Sequence, residues 1–306
     1  MIQQKFSKIV DDSGIFRLTW IINNICTQHC DYCPSYLNSG KNHHYQWADA
    51  ERFIHRLCEQ HEKIHVIISG GEPTVSPWFK DLVGLFKDRG HTVAVSSNAV
   101  RAGSYWQDCA VDILTLSYHP QYHDDNFIQR VNDTQQQIPH IVVRVMMDPR
   151  YWDQCEIVYN QLQTETDVGL EVVRIVDWGA ETPSYNLVQD QWLSQIRHRP
   201  PKVSVPVSFV SDLFNVQGQQ IYADKYWPNQ LINDRTNRFT GWQCNIGKES
   251  LFVQFDGSVR RGNCEQGGYI GRIQDQFFQL PSAPVTCRQI WCRCDTDMLI
   301  NKSVVY

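Results

Sequence analysis

Short apolar runs alternate with longer amphipathic stretches along the first 176 residues of the chain. The runs that resemble strands lie at 16–22, 65–68, 92–96, 113–117, Ile141–Met147 and 170–176. The stretches with helical spacing lie at 47–60, 78–88, 104–109, 124–137, 151–163 and, after the last strand, 189–196. Because strands that alternate with helices form parallel sheets, this pattern predicts a parallel α/β domain with six strands.

The pattern changes after Pro200-Pro201, a pair typical of a joint between domains. An alternating strand is predicted beyond it, at 203–210. Apolar runs on both sides of Asp256-Gly257 predict a β-hairpin, since Asp-Gly favours a tight turn. We therefore predict two domains, at 1–200 and 201–306.

Three cysteines follow the first predicted strand in the spacing C-x3-C-x2-C, namely Cys26, Cys30 and Cys33. Three thiolates on one short loop can hold three corners of an iron–sulfur cube and leave the fourth iron open for chemistry. A structural zinc site is the alternative. Zinc takes four ligands and usually pairs C-x2-C with a second such pair, so an isolated triplet favours the iron–sulfur cluster.

A second motif, Ser69-Gly70-Gly71-Glu72-Pro73-Thr74, follows the second predicted strand. Its two glycines allow the main chain to approach a ligand closely, and its glutamate offers a carboxylate to an ammonium group. By itself, the motif is equally compatible with an ordinary turn.

Together these two motifs resemble those of the radical S-adenosylmethionine (SAM) superfamily. Cys26, Cys30, Tyr32 and Cys33 match its C-x3-C-x-aromatic-C signature, and the glycine motif is similar to its GGEP segment. The resemblance implies a partial (β/α)6 TIM-type barrel in which the three cysteines hold a 4Fe-4S cluster. It also implies that SAM binds this cluster, with its amino group received by the GGEP segment.

Barrel enzymes bind their ligands at the carboxyl ends of the strands, and the resemblance implies contacts with SAM there. The candidate cofactor-binding residues are Tyr32, Gly70, Gly71, Glu72, Pro73, Asn98, Ser117 and Arg144. Ala99 follows Asn98, where the family often has Thr-Asn-Gly. Arg144 lies in the middle of a strand and points either into the barrel, toward an anionic partner, or outward between helices. His119 and His123 are further candidates, as proton donors, although loop histidines are usually solvated.

The chain has eleven cysteines and no secretion signal, a combination typical of metal ligands and core thiols rather than disulfides. Cys58, Cys109 and Cys155 stand alone, and we expect them in the core. Five others gather in the last fifth of the chain, at Cys244, Cys264, Cys287, Cys292 and Cys294.

This C-terminal arrangement resembles the auxiliary-cluster domain called twitch or, in its longer form, SPASM. The resemblance implies a smaller C-terminal domain, containing the β-hairpin, that binds a second, auxiliary 4Fe-4S cluster through four of the five cysteines. The terminal C-x4-C-x-C differs from the usual twitch C-x2-C and leaves the choice of the four ligands open. A structural zinc site is again the alternative.

Charge and hydropathy exclude several classes of partner. The net charge is −5, the pI is about 6.1 and no long Lys/Arg run occurs, which argues against general nucleic-acid binding. No apolar stretch reaches eighteen residues, and the first fourteen residues lack the apolar core of a signal peptide. We therefore expect a cytoplasmic protein without a membrane partner.

The chemistry implied by the resemblance is reductive cleavage of SAM to a 5′-deoxyadenosyl radical, which abstracts hydrogen from a substrate. A flavodoxin or ferredoxin is the implied reductant, and one auxiliary cluster implies oxidation of the substrate. Relatives that modify peptides frequently carry an N-terminal leader-binding domain, whereas only about fifteen residues precede the first predicted strand here. The expected substrate is therefore a small molecule that resembles a sugar, a nucleoside or an amino acid.

Two alternatives belong to other reaction or protein classes. The first is modification of a ribosomally made peptide, by crosslinking or by redox-neutral epimerisation. The second is a non-enzymatic iron–sulfur electron carrier, which the SAM-binding motif argues against.

Overall fold

The computed structural model describes residues 6–40, 45–138, 140–176, 183–201, 212–221, 228–277 and 279–305. The strands are β1 (Phe6–Val10), β2 (Phe16–Ile21), β3 (Ile64–Ser69), β4 (Thr92–Ser97), β5 (Ile113–Tyr118), β6 (Ile141–Met147), β7 (Gly169–Arg174), β8 (Asp212–Asn215), β9 (Gln220–Ile221), β10 (Gln243–Cys244), β11 (Ser250–Val253), β12 (Ser258–Arg260), β13 (Tyr269–Arg272), β14 (Val285–Thr286) and β15 (Lys302–Ser303). The helices are α1 (Trp47–Gln60), α2 (Phe79–Lys87), α3 (Phe127–Gln135), α4 (Trp152–Glu165), α5 (Leu187–Gln195), α6 (Pro228–Asn233) and α7 (Asp295–Met298).

The larger sheet has the strand order β13-β12-β11-β2-β3-β4-β5-β6-β7. Strands β2 to β7 are parallel neighbours in chain order, which confirms the predicted parallel α/β domain. Helices α1, α2, α3 and α4 provide four of the connections, and a 3-10 helix at Gly103–Asp108 provides the fifth. The sheet ends at β7 and β13 rather than closing into a barrel, so the barrel is partial.

The main core lies between this sheet and its helices. Every residue of β2 is buried, with Leu18 and Trp20 fully inaccessible to solvent. Helix α1 buries its apolar side, including Phe53 and Leu57, against the same core. Cys109 and Cys155 are buried in this core, as expected, and Cys58 packs against it. No helix in the described part of the chain is long and apolar enough to span a membrane.

The smaller sheet has the order β14-β10-β15-β1-β8-β9 and combines the two ends of the chain. Sequence analysis missed its strand β1. The apolar residues Phe6 and Ile9 lie three positions apart in the sequence, yet both are buried, because the pairing register shifts between Phe6 and Lys8. The alternation that reveals a strand is therefore broken. The strand predicted at 203–210 lies outside the described residues.

The predicted hairpin is present as β11 and β12, with Phe252 opposite Arg260 and Gly257 in the left-handed region at a φ of 81°. Its partner was not foreseen. Strand β11 pairs in parallel with β2, so the C-terminal hairpin extends the sheet of the barrel. The domain division at residue 200 stays a prediction, but hydrogen-bonded strands from both sides of it meet in each sheet.

His65, on β3, makes the stability of the fold depend on pH. The side chain is fully buried, and burial, assisted by the Arg17 guanidinium, lowers its pKa to about 3. In the unfolded chain the pKa of histidine is about 6.5. Between this pH and about pH 3, the unfolded chain therefore binds a proton at His65 that the folded chain does not bind. We predict that the free energy of unfolding falls by up to about 1.4 kcal/mol for each pH unit below about 6.5.

The His65→Gln variant, which cannot titrate, should show a shallower dependence of its free energy of unfolding on pH. Denaturant titrations between pH 7 and pH 5 measure this slope. His55→Gln is the matched control, because His55 is exposed on α1. Equal slopes in wild type and His65→Gln would contradict the prediction.

Candidate functional site

Cys26, Cys30 and Cys33 lie on the loop that follows β2, residues 23–34, which we call the cysteine loop. All three thiols line one cavity of about 290 Å³ at the carboxyl ends of the parallel strands. Other predicted site residues that line the same cavity are Tyr32, Gly70, Gly71, Asn98 and Ser117. The structure therefore brings together the cysteine motif and the two glycines of the second motif.

The cysteine loop is fixed by main-chain hydrogen bonds to the glycine loop, residues 70–74, which follows β3. Gly71 N donates to Asn23 O at 3.0 Å, and Glu72 N donates to Ile25 O at 2.7 Å. The side-chain amide of Asn23 donates in return to Glu72 O at 2.9 Å. A rigid second segment thus holds the start of the cysteine loop.

The contact between the two loops requires glycine at positions 70 and 71, because a side chain at either position would collide with the cysteine loop. A Cβ atom on Gly71 would lie 2.3 Å from Ile25 O, and one on Gly70 would lie 2.9 Å from Asn23 O. Neither main-chain oxygen can move away without breaking the hydrogen bonds between the loops. Any residue larger than glycine would therefore separate the cysteine loop from the glycine loop.

Glu72 is fully buried and does not line the cavity. Its carboxylate accepts hydrogen bonds from Thr74 N at 3.1 Å, from Thr74 Oγ1 at 2.7 Å, from Ser97 Oγ at 3.1 Å and from Asn98 N at 2.8 Å. The role predicted for Glu72, to receive an amino group of SAM, stays a prediction. In the protein itself, this carboxylate joins the loop after β3 to the end of β4.

Asn98 connects the hydrogen bonds of Glu72 to the cysteine loop. Its side-chain amide donates to Thr27 Oγ1 at 2.9 Å and lies 3.6 Å from Cys26 Sγ. Burial raises the pKa of all three thiols, to about 12 for Cys30 and about 11 for Cys33. Metal binding has to displace these protons, because only the thiolate is a good ligand.

The loop after β5 supports the outer side of the cysteine loop. Tyr32 Oη lies 2.5 Å from His119 Nδ1, and the two rings stack. Burial lowers the pKa of His119 to about 4, so its neutral ring can accept the tyrosine hydroxyl proton. Tyr122 and Gln121 accept hydrogen bonds from main-chain N–H groups of the cysteine loop. The spacing of residues gave no signal for Tyr122 or Gln121.

His123 and Arg144 lie away from this first cavity. His123 contacts the hydroxyl of Tyr118 and does not line the cavity. Arg144 lies in the barrel interior, where its guanidinium pairs with Glu171 at 2.9 Å and with Asp295 at 3.2 Å. Its anionic partners are therefore residues of the protein, and its contact with SAM stays a prediction.

The barrel interior forms a second cavity of about 300 Å³, which shares lining residues with the first. Tyr32, Ser117, His119 and Met146 line both cavities. Space for a substrate thus adjoins the space beside the cysteine loop.

The five C-terminal cysteines divide into a group of four and a single residue. One small cavity is lined by Cys244, Cys264, Cys287 and Cys292 together with Asp297 and Lys302. Cys294 lines the barrel interior instead. Burial raises the pKa of Cys264 to about 12 and raises those of Cys287 and Cys292. We call Cys244, Cys264, Cys287 and Cys292 the auxiliary thiols.

Lys302 is the one Lys or Arg among the described residues that line the cavity of the auxiliary thiols. It is 5% exposed, and its ammonium group donates to the main-chain oxygen of Asp297 at 2.5 Å. Such a buried positive charge can offset the negative charge of thiolates.

Within the described residues, no three His, Cys, Asp or Glu side chains are arranged to hold a single metal ion.

Residues 20–119 match the family model of the Radical SAM superfamily. Over these residues the chain is similar to a radical SAM domain. Such a domain indicates an enzyme and implies a 4Fe-4S cluster and SAM. The donor set fits both, because three thiols and the polar groups of the glycine loop and Asn98 surround one cavity.

One curated relative is the 7-carboxy-7-deazaguanine synthase of Haemophilus influenzae, which is 23% identical over 143 residues. These residues are 46% of this chain and 59% of that protein. The match thus spans about three fifths of the length of the curated relative.

Two solved structures share the fold. The structure of anSMEcpe with bound AdoMet and the Kp18Cys peptide has a TM-score of 0.55 and 14% identity, and covers 86% of this chain and 78% of that one. Streptococcus suis SuiB bound to S-adenosylmethionine has a TM-score of 0.50 and 12% identity, and covers 88% of this chain and 61% of that one. At these identities the likeness shows the fold alone.

The contact between the two loops predicts that Gly71→Ala loses the iron held by the cysteine loop. The added Cβ has to displace main-chain atoms of Ile25, and overpacking of this kind costs roughly 1–3 kcal/mol. Iron content and circular dichroism of the reconstituted protein measure the effect. Gly84→Ala is the matched control, because its Cβ meets no atom within 4 Å. Full iron content in Gly71→Ala would refute this explanation for the glycine.

Proposed function

We propose that the protein binds a 4Fe-4S cluster through Cys26, Cys30 and Cys33 and uses SAM to abstract hydrogen from a small-molecule substrate. The supporting observation is that the three thiols line one cavity together with Gly70 and Gly71, and that this cavity shares lining residues with the barrel interior. Held by these three thiols, the cluster would supply one electron for the reductive cleavage of SAM to methionine and a 5′-deoxyadenosyl radical. A flavodoxin or ferredoxin is the proposed reductant.

The protein's own residues position these groups and exclude water. Gly70, Gly71, Asn98 and Ser117 line the cavity beside the thiols. Glu72 holds Asn98 in place from outside the cavity. A direct contact between Glu72 and the amino group of SAM requires the carboxylate to exchange one of its internal donors for that ammonium group. Pro73 limits the freedom of the same loop.

Tyr32 closes one side of the site. It is 7% exposed and packs with Cys30 and Ile175, and Cys33 and Met146 pack against them. This apolar surround keeps water away from the space where a reactive carbon would lie. Arg144, fixed by Glu171 and Asp295, gives the barrel interior a defined polar wall.

We further propose that the auxiliary thiols hold a second 4Fe-4S cluster. The supporting observation is that these four cysteines line one cavity whereas Cys294 lines another. Four thiolates complete the coordination of a cubane, so this cluster would accept an electron rather than bind SAM. The proposed outcome is oxidation of the substrate, with Lys302 offsetting the charge of the auxiliary thiolates.

A second candidate function is modification of a peptide. The supporting observation is the fold shared with anSMEcpe and SuiB, whose structures include a bound peptide in one case and the precursor peptide SuiA in another. The barrel interior next to the cysteine loop has a volume of about 300 Å³, at the lower end of the range for ligand pockets, and this volume suits a small molecule.

The catalytic proposal predicts that the anaerobically reconstituted and reduced protein converts SAM to 5′-deoxyadenosine and that Cys30→Ala abolishes this product. The variant lacks one of the three ligands that leave an iron open for SAM. Chromatography of the quenched reaction measures the product. Cys58→Ala is the control, because that thiol lies on α1 and packs against the core. Wild-type product formation by Cys30→Ala would show that the assignment of the cluster is wrong.

The auxiliary proposal predicts which thiols carry the second cluster. A Cys26/Cys30/Cys33→Ala protein should retain roughly four irons and four acid-labile sulfides. Adding Cys264→Ala should remove them, whereas adding Cys294→Ala should leave them in place. Metal and sulfide analysis of the three proteins decides this.

Two results would contradict the auxiliary proposal. One zinc without sulfide would indicate a structural metal, and a redox-neutral reaction such as epimerisation would then replace oxidation. Loss of iron in the Cys294→Ala protein but not in the Cys264→Ala protein would reverse the assignment of ligands.

A further inference from the structure

A third cavity, of about 590 Å³, lies next to the barrel interior, and we call it the vestibule. Its polar and aromatic lining includes Arg174, Arg235, Arg238, Arg293, Tyr185 and Trp291. Arg174, Ile175 and Ile232 line both the vestibule and the barrel interior. The vestibule and the barrel interior are therefore neighbouring cavities.

Among the described residues that line the vestibule, positively charged side chains outnumber negatively charged ones. Its described lining contains four arginines and no Asp or Glu. Arg174 and Arg235 share one carboxylate, that of Asp190. Arg238 has no carboxylate partner in the described ranges, and its guanidinium stacks on the ring of Trp291 with 3.8 Å to the ring centroid.

Two of these guanidinium groups also have unused hydrogen-bond donors. The Nε atoms of Arg174 and Arg238 are buried and find no acceptor among the residues that the structure describes. A buried donor without an acceptor is costly, and the cost is larger when the group is charged. Both donors belong to residues that line the vestibule.

We propose that the vestibule binds a carboxylate or phosphate group of the substrate. A guanidinium fork matches both groups through two parallel hydrogen bonds, and stacking on Trp291 orients the fork of Arg238. The anionic end of the substrate would lie among these arginines while its reactive carbon extends into the barrel. This inference rests on the proposed function, because it names the chemical class of that substrate.

Binding of small anions to the reconstituted protein tests the vestibule without a known substrate. The probes are glutarate and inorganic phosphate, and glutaramide is the uncharged counterpart of glutarate. Calorimetric titration should detect glutarate, phosphate or both, but not glutaramide. Arg238→Gln should weaken anion binding about tenfold or more, as expected for the loss of a charge-assisted hydrogen bond. Arg52→Gln is the control, because Arg52 lies exposed on α1.

A second variant, Arg235→Gln, keeps the test decisive if Arg238→Gln fails to fold. Arg235 is 55% exposed, so its replacement leaves the core intact and should also weaken binding. Binding of glutarate alone would identify the group as a carboxylate, and binding of phosphate alone would identify it as a phosphate. The inference fails if neither anion binds, if glutaramide binds equally well, or if both variants bind like wild type. SAM cleavage is measured without these probes, so failure of the vestibule and failure of the proposed function are separable.

Discussion

The contact on which the site depends is the main-chain pairing of the cysteine loop with the glycine loop. Gly71 and Glu72 donate their N–H groups to Asn23 and Ile25, and there is no room between the loops for a Cβ atom on Gly71. A carboxylate buried as completely as that of Glu72 is tolerated only when donors surround it, and the glycine loop and the end of β4 supply them. The positions of Cys26 and Asn98 follow from this one buried network.

The C-terminal part of the chain is attached to the barrel by a second charged network. Glu171, on β7, is buried and accepts from Arg144 on β6 and from the side-chain amide of Asn229 on α6 at 2.7 Å. Arg144 also pairs with Asp295, the first residue of α7. Cys294 directly precedes this helix and Cys292 lies two residues earlier, so the ion pair connects the barrel interior with the segment that carries Cys292.

Sequence analysis could predict elements whose signal is local. The buried strands β2 to β7 and the hairpin around Gly257 have such signals, and so has the grouping of three cysteines on one loop. It could not predict that β11 pairs with β2, since that contact joins residues far apart in the chain. Sequence analysis missed strand β1 because its bulge breaks the alternation of apolar and polar residues. The separation of Cys294 from the auxiliary thiols depends on the direction of the backbone and not on the spacing of the cysteines.

The central claim is that the three thiols of the cysteine loop leave an iron open to SAM. Electron–nuclear double resonance of the reduced protein, with SAM labelled by 15N in its amino group, tests this directly. Coupling between the label and the paramagnetic cluster is expected in wild type, and it should persist when Cys264 is replaced by alanine, because the auxiliary thiols lie in a separate cavity. A reduced cluster that shows no coupling to the labelled nitrogen would contradict the claim.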